Sequence, residues 1–97
     1  MIDACTVIGE TLASGGRRAD MLASVICALV VEGAELGALE EIEIRELGEI
    51  RIIKVPPRLW FDRLALAVLG GVFDHPHDKT LRKVVDRILT QPEAAKA

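Results

Sequence analysis

Glu41-Ile42-Glu43-Ile44-Arg45-Glu46-Leu47-Gly48-Glu49-Ile50-Arg51-Ile52-Ile53-Lys54-Val55 is the stretch on which the fold turns. Apolar and charged residues alternate as far as Arg45, pause at Glu46-Leu47-Gly48, and alternate again from Glu49. A period of two marks a strand whose two faces meet different surroundings, and two such runs around a short glycine turn read as a β-hairpin. A three-residue loop, Glu46-Leu47-Gly48 with Gly48 left-handed, predicts the pairs Arg45 with Glu49, Ile44 with Ile50, Glu43 with Arg51 and Ile42 with Ile52. That register gathers four isoleucines on one face and two opposite-charge pairs on the other, each pair contributing about 0.2–1 kcal/mol. A two-residue Leu47-Gly48 turn sets Ile44 against Arg51 and mixes the faces, so the longer loop is the expectation. Ile53 and Val55 then fall on the charged face and both strand edges stay open. Hairpins from several subunits joining into a larger sheet would close them.

The period changes on either side of the hairpin. Before it, residues 2–13 read as a short helix ended by Gly15-Gly16, and a second helix runs from Arg17 to about Glu32, where Gly33 and Gly37 break the pattern. After it, Pro56-Pro57 end the strand and a third helix runs from Arg58 to about Leu69. Asp74-His75-Pro76-His77-Asp78 forms a turn, and Asp78 caps a last helix over Lys79 to Thr90 striped by Leu81, Val84, Val85, Ile88 and Leu89. The fold class is α+β, mostly helical with a central hairpin, in the order helix-helix-hairpin-helix-helix. The expected organisation is a single domain over 1–97. It comprises a helical oligomerisation pair at 1–38, the hairpin at 39–55, two C-terminal helices at 58–91 and a frayed tail at 92–97.

The chain has 97 residues, 51% of them hydrophobic, yet only Trp60, Phe61 and Phe73 are aromatic. A core this small hides only part of that aliphatic surface, which predicts an oligomer. The second helix is apolar on most sides, and its Met21, Leu22, Val25, Ile26, Leu29 and Val30 are the expected oligomer interface. The apolar run Met21 to Val31 is about half of the ~20 residues that a bilayer span requires, so no membrane partner is expected. No signal peptide is visible, and Cys5 and Cys27 read as buried small hydrophobes in a reducing, cytoplasmic setting.

No residue cluster reads as an enzyme active site, and no cofactor or metal is expected. His75 and His77 flank a proline without a third ligand at useful spacing, so a hydrated turn is the expectation over a zinc site or a His–Asp base. Glu40, Glu41, Glu43, Glu46 and Glu49 read as the solvated face of the hairpin. Gly15-Gly16-Arg17-Arg18 resembles a phosphate-cradling helix start but lacks the full P-loop pattern. At a net charge of −3 the chain as a whole is no polyanion binder. The last helix, however, carries Lys79, Arg82, Lys83 and Arg87 opposite its apolar stripe. These four are the candidate contacts to DNA, weak and sequence-independent.

From Leu39 onward the chain resembles the C-terminal part of the small terminase subunits of tailed bacteriophages. The resemblance is carried by Leu39-Glu40-Glu41-Ile42-Glu43-Ile44, the glycine turn, Ile50-Arg51-Ile52-Ile53-Lys54-Val55, and Asp62-Arg63-Leu64-Ala65-Leu66-Ala67-Val68-Leu69-Gly70-Gly71-Val72-Phe73. In that family a hairpin leads into a glycine-containing helix that ends on phenylalanine. Here Arg58-Leu59-Trp60-Phe61 stands as an insertion, the segment after Leu69 is shorter, and residues 1–38 show no helix-turn-helix. The resemblance implies a non-enzymatic, ring-forming adaptor that assists DNA packaging in the cytoplasm of a bacterial host, as in a compact phage or gene transfer agent. It implies double-stranded DNA and the large terminase, an ATPase–nuclease, as partners. The alternative expectation is a small cytoplasmic protein–protein adaptor or regulator, dimeric and unrelated to packaging.

Overall fold

The computed structural model describes residues 3–74 and 78–90. Among them the element order is α1 (Ala4–Ser14), α2 (Gly16–Leu36), β1 (Glu40–Glu46), β2 (Glu49–Val55), α3 (Arg58–Leu69), a 3-10 turn (Val72–Asp74) and α4 (Asp78–Thr90). This is the expected α+β order. His75, Pro76, His77 and the tail from residue 91 lie outside the described residues.

Local chemistry sets the helix ends. Asp3 caps α1: its Oδ1 accepts from the Cys5 N–H at 3.1 Å, and its Oδ2 accepts from the Thr6 hydroxyl at 2.6 Å. Gly15, with φ of 69°, turns the chain from α1 into α2. The second helix runs through Gly33, which was expected to break it, and ends at Gly37. Gly37 adopts φ 65°, ψ 26°, and the N–H groups of Gly37 and Ala38 return to the carbonyls of Ala34 and Gly33 at 3.2 and 2.8 Å. Gly33 is a packing residue: a Cβ there would lie 2.6 Å from Leu39 Cδ2 and 3.5 Å from Trp60. Its lack of a side chain admits the indole ring and the Leu39 methyl group against the helix.

The core lies between the four helices. Ile8 of α1, Leu22, Val25 and Leu29 of α2, Trp60, Leu64 and Val68 of α3, and Val85 and Ile88 of α4 form one hydrophobic cluster with Phe73. Each large aliphatic or aromatic side chain buried this way contributes about 1.5–3 kcal/mol. Phe73 is delivered by the 3-10 turn, so the short linker between α3 and α4 is itself anchored in the core.

The hairpin is antiparallel, but its register is not the expected one. Glu46 pairs with Glu49, Arg45 with Ile50, Ile44 with Arg51, Glu43 with Ile52, Ile42 with Ile53, Glu41 with Lys54 and Glu40 with Val55. The turn is therefore the two-residue Leu47-Gly48, with φ of 52° and 81°. Positive φ at both positions is the type I′ geometry, whose twist matches that of the flanking strands. One face now carries Ile42, Ile44, Ile53 and Val55 with Glu40, Glu46, Glu49 and Arg51. The other carries Ile50 and Ile52 with Glu41, Glu43, Arg45 and Lys54. The expected separation of faces presupposed that one of them rests on the helices. From Glu40 to Lys54 only Ile44 is even half-buried. With no buried face to sort the side chains, turn geometry decides the register.

Candidate interaction surfaces

The residues read as a subunit interface are mostly taken up by the chain's own fold. Met21, Leu22, Val25 and Leu29 are buried, Leu22 and Leu29 completely, and Ile26 packs against the same core. α1, α3 and α4 cover this side of α2 and leave it nothing to offer a neighbour. Val30 alone of the six is exposed. The unburied apolar surface lies elsewhere, on the hairpin, on α2 (Val30, Val31, Leu36), on α3 (Leu66, Leu69) and at Leu12 of α1.

The hairpin is the largest of these exposures. Leu47 is fully exposed at the tip, and Ile42, Ile50, Ile52 and Ile53 are all exposed along the strands. Arg45 Nε reaches Glu43 Oε1 at 3.2 Å on the same strand, so this pair sits beside Ile50 and Ile52 instead of joining the strands.

At its base the hairpin borders an open groove of about 670 Å³ between the first turns of α1 and the start of α3. Ile8, Ile42, Val55 and Phe61 give it an apolar lining, with Asp3, Arg58 and Asp62 at its rim. The Thr6 hydroxyl holds the Asp3 carboxyl below the ordinary aspartate range. Loss of hydration opposes it, and the backbone N–H groups of Thr6 and Cys5 and the charge of Arg58 add to the lowering. A second cavity, of about 250 Å³, lies between the end of α1, the start of α2 and the end of α3. Its Thr11 and Ser14 hydroxyls are spent on the Val7 and Glu10 carbonyls, each at 2.8 Å.

Arg18 belongs to this second region, and its role there was not read from the sequence. Its Nη2 donates to the Val68 carbonyl at 2.6 Å, and its Nε lies 3.3 Å from Asp74 Oδ1. The guanidinium that made Gly15-Gly16-Arg17-Arg18 resemble an anion cradle is thereby committed to the end of α3. Only contacts distant in sequence reveal this, so no local pattern signals it.

Lys79, Arg82, Lys83 and Arg87 all stand exposed on one side of α4, opposite the buried Val85 and Ile88. Arg82 pairs with Asp86 one turn on, at 3.2 Å, which leaves Lys79, Lys83 and Arg87 as the less compensated cations. Cys5 and Cys27, expected inside, are both free and exposed. Cys27 lies on the outer side of α2 and Cys5 on the groove side of α1, and neither faces the core. Among the described residues no three His, Cys, Asp or Glu side chains come together as a metal-binding group. No described helix is long and apolar enough to cross a membrane. No family model, curated protein or solved structure matches the chain.

Proposed function

We propose that the chain is a non-enzymatic adaptor that associates with copies of itself and grips a partner protein through its projecting hairpin. Its specific form would be that of the small terminase it resembles: a cytoplasmic DNA-packaging component in a bacterial host. It would form a ring, engage the large ATPase–nuclease subunit, and touch double-stranded DNA weakly through α4. The observation that carries this reading is the hairpin. A two-stranded hairpin is at best marginal alone in water, and this one points Leu47, Ile50 and Ile52 into solvent with both edges unpaired among the described residues. Strand addition from a neighbouring chain, or an apolar cover supplied by one, removes both costs together. The exposed cations of α4 supply the matching surface for phosphate. The first two helices add only Arg17 beyond the committed Arg18, which supports backbone contact over base reading.

Light scattering on the purified chain, combined with capture from lysate of a phage-producing host, tests the proposal. A mass well above one copy is expected, together with an ATPase–nuclease retained by the parent chain and lost with Ile50→Glu and Ile52→Glu. A chain that stays solitary at high concentration, and whose captured proteins are indifferent to those substitutions, overturns it. The apolar outer side of α2 also favours the second reading, a simple dimer acting as an adaptor or regulator outside packaging. An assembly of two copies that binds neither DNA nor an ATPase–nuclease would select it.

A further inference from the structure

We propose that a second copy of this chain pairs with the outer edge of β2, antiparallel about a two-fold axis at Ile50, joining two hairpins tip to tip in one four-stranded sheet. In a hairpin closed by a two-residue turn, the residues that flank the turn exchange both of their hydrogen bonds. Glu49, Arg51 and Ile53 therefore turn their N–H and C=O groups toward β1, while Ile50, Ile52 and Lys54 turn theirs outward. On β1 the outward residues are Glu41, Glu43 and Arg45. The two edges are guarded differently. All three outward residues of β1 are charged, and Arg45 already lies 3.2 Å from Glu43, which blunts that edge. Beside the turn, β2 offers Ile50 and Ile52 instead, 61% and 66% exposed. Outward backbone groups without a strand partner among the described residues select another strand as the cover.

The charges select a second copy and fix the register. The closing pair of the hairpin sets Glu46 directly opposite Glu49, an unfavourable meeting of like charges. Arg51, on the same face, stands opposite Ile44. Neither Glu49 nor Arg51 forms an ion pair among the described residues. With Ile50 set against Ile50 of the second copy, Glu49 meets the second copy's Arg51, and Arg51 meets its Glu49. Each guanidinium thereby enters beside the other copy's Glu46 and Glu49. A pairing centred on Arg51 would oppose two guanidiniums. One centred on Ile52 would set Glu49 against Val55 and Arg51 against Ile53, with no opposite charges. A contact between two β1 edges could oppose Glu43 and Arg45, but those two already satisfy each other. The turn suits the same register. Leu47, fully exposed at φ 52°, comes opposite Ile53 of the second copy, and Ile52 comes over its Gly48, where no side chain stands in the way.

Shape favours the antiparallel contact as well. Hairpins stacked side by side in one direction, β1 against β2, would repeat about every 10 Å. The molecule is 28 Å across even at its narrowest, so the helical bodies would compete for the same space. Tip-to-tip pairing sends the bodies to opposite ends, with each Val55 about 17 Å from the axis. The contact is two-fold, so it closes at two copies, and both β1 edges lie outside it. It rests on the adaptor reading only for the premise that copies associate. A dimer would satisfy it, as would a larger assembly built from such pairs.

Charge exchange tests it. Glu49→Arg and Arg51→Glu are made on separate chains, both at exposed strand positions, so the helical circular dichroism should not change. Alone, each variant opposes like charges across the axis and should self-associate about tenfold more weakly than the parent. Mixed, the two should regain the parent's association in sedimentation velocity, and so should one chain carrying both substitutions. A mixture no heavier than its separate parts overturns the proposal. Disulfide trapping reads the register. In a background of Cys5→Ser and Cys27→Ser, Ile50→Cys should give a covalent dimer under mild oxidation. Ile52→Cys should not, because that residue and its copy would stand about 13 Å apart along the strands. A cross-link at Ile52→Cys would move the axis, and one at Ile44→Cys would assign the contact to β1; either overturns the proposal. If Ile50→Cys gives no cross-link in a chain whose mass still exceeds one copy, the β2 pairing falls and the adaptor reading stands. If it cross-links in a chain that captures no ATPase–nuclease, the pairing stands and the packaging reading falls.

Discussion

Arg18 donates from Nη2 to the carbonyl of Val68 at 2.6 Å, tying the start of α2 to the last turn of α3. The same guanidinium lies 3.3 Å from Asp74, in the turn that carries Phe73 into the core. A cation at a helix C-terminus meets carbonyls without intrahelical partners and the negative end of the dipole. The Asp74 pair is roughly half exposed on both sides (43% and 53%), and pairs of that kind contribute little. Replacing Arg18 with Met is therefore expected to cost about 1–2 kcal/mol in urea unfolding, mostly through the Val68 carbonyl. Asp74→Asn should cost less than about 1 kcal/mol. Equal losses would mean that the ion pair carries the contact.

Leu47 sits at φ 52° in the first central position of the hairpin turn, a conformation that costs a branched L-residue about 1–2 kcal/mol. Asparagine adopts it more easily, and Asn-Gly is a favoured type I′ pair. Leu47→Asn should slow amide exchange across Ile44 and Arg51 by a few-fold without altering the pairing. A slower exchange with nuclear Overhauser contacts of the Arg45–Glu49 register instead would contradict the two-residue turn.

Because the Thr6 hydroxyl lowers the Asp3 pKa, protonation is harder in the folded chain than in the unfolded one. The cap's contribution to α1 is then complete above the ordinary aspartate range and is lost as the pH falls through the depressed folded value. Thr6→Val should move the Asp3 titration upward toward the ordinary value and shift fraying of the first turn to a higher pH. Carbon-detected titration of the Asp3 carboxyl reads this directly. Superimposable curves for the two proteins would remove the hydroxyl as the cause.

Gly33 and Gly37 look alike in sequence but respond to different physics. Gly33→Ala drives a methyl group onto Leu39 Cδ2, so Leu39 must rotate beside Trp60, at an expected cost of about 1–3 kcal/mol. Gly37→Ala meets open space but keeps a left-handed φ of 65°, at an expected cost of about 1 kcal/mol. Pairing the Gly33 change with Leu39→Ala should recover part of its loss, whereas the same pairing with Gly37→Ala should recover none. Chemical unfolding of the four variants gives the comparison.

These two glycines mark where the sequence is legible and where it is not. Alternation from Glu41 to Val55 identifies the hairpin because side-chain period is a local property. Its register was misread because face separation matters only if helices cover one face, and that depends on where the hairpin stands. The apolar girth of α2 predicts cover on most sides, and the chain's own fold covers one side of it. Which half the chain covers itself depends on Phe73, Val85 and Ile88, more than forty residues later in the sequence. Hence Leu22 and Leu29 belong to the core and not to the expected interface, while Ala23, Cys27 and Val31 stand exposed on the outer side. The basic face of α4 was readable in full, since Lys79, Lys83 and Arg87 follow a helical period opposite the aliphatic stripe.

That face allows the DNA proposal to be stated quantitatively. Each cation that neutralises a duplex phosphate releases counterions and adds about −0.9 to the slope of log affinity against log salt. With Arg82 already paired to Asp86, Lys79, Lys83 and Arg87, which pair with no acid among the described residues, should give each copy a slope of roughly −3. A sequence-independent reader should keep this slope on unrelated duplexes of equal length. Replacing Arg82, Lys83 and Arg87 with Glu should abolish retention at low salt, while Asp86→Ala should strengthen it by freeing Arg82. Fluorescence anisotropy over a salt series measures both changes. Unchanged DNA retention by the triple variant would move the contact away from α4, and a strong preference among duplexes would require base contacts that these lysines and arginines do not explain.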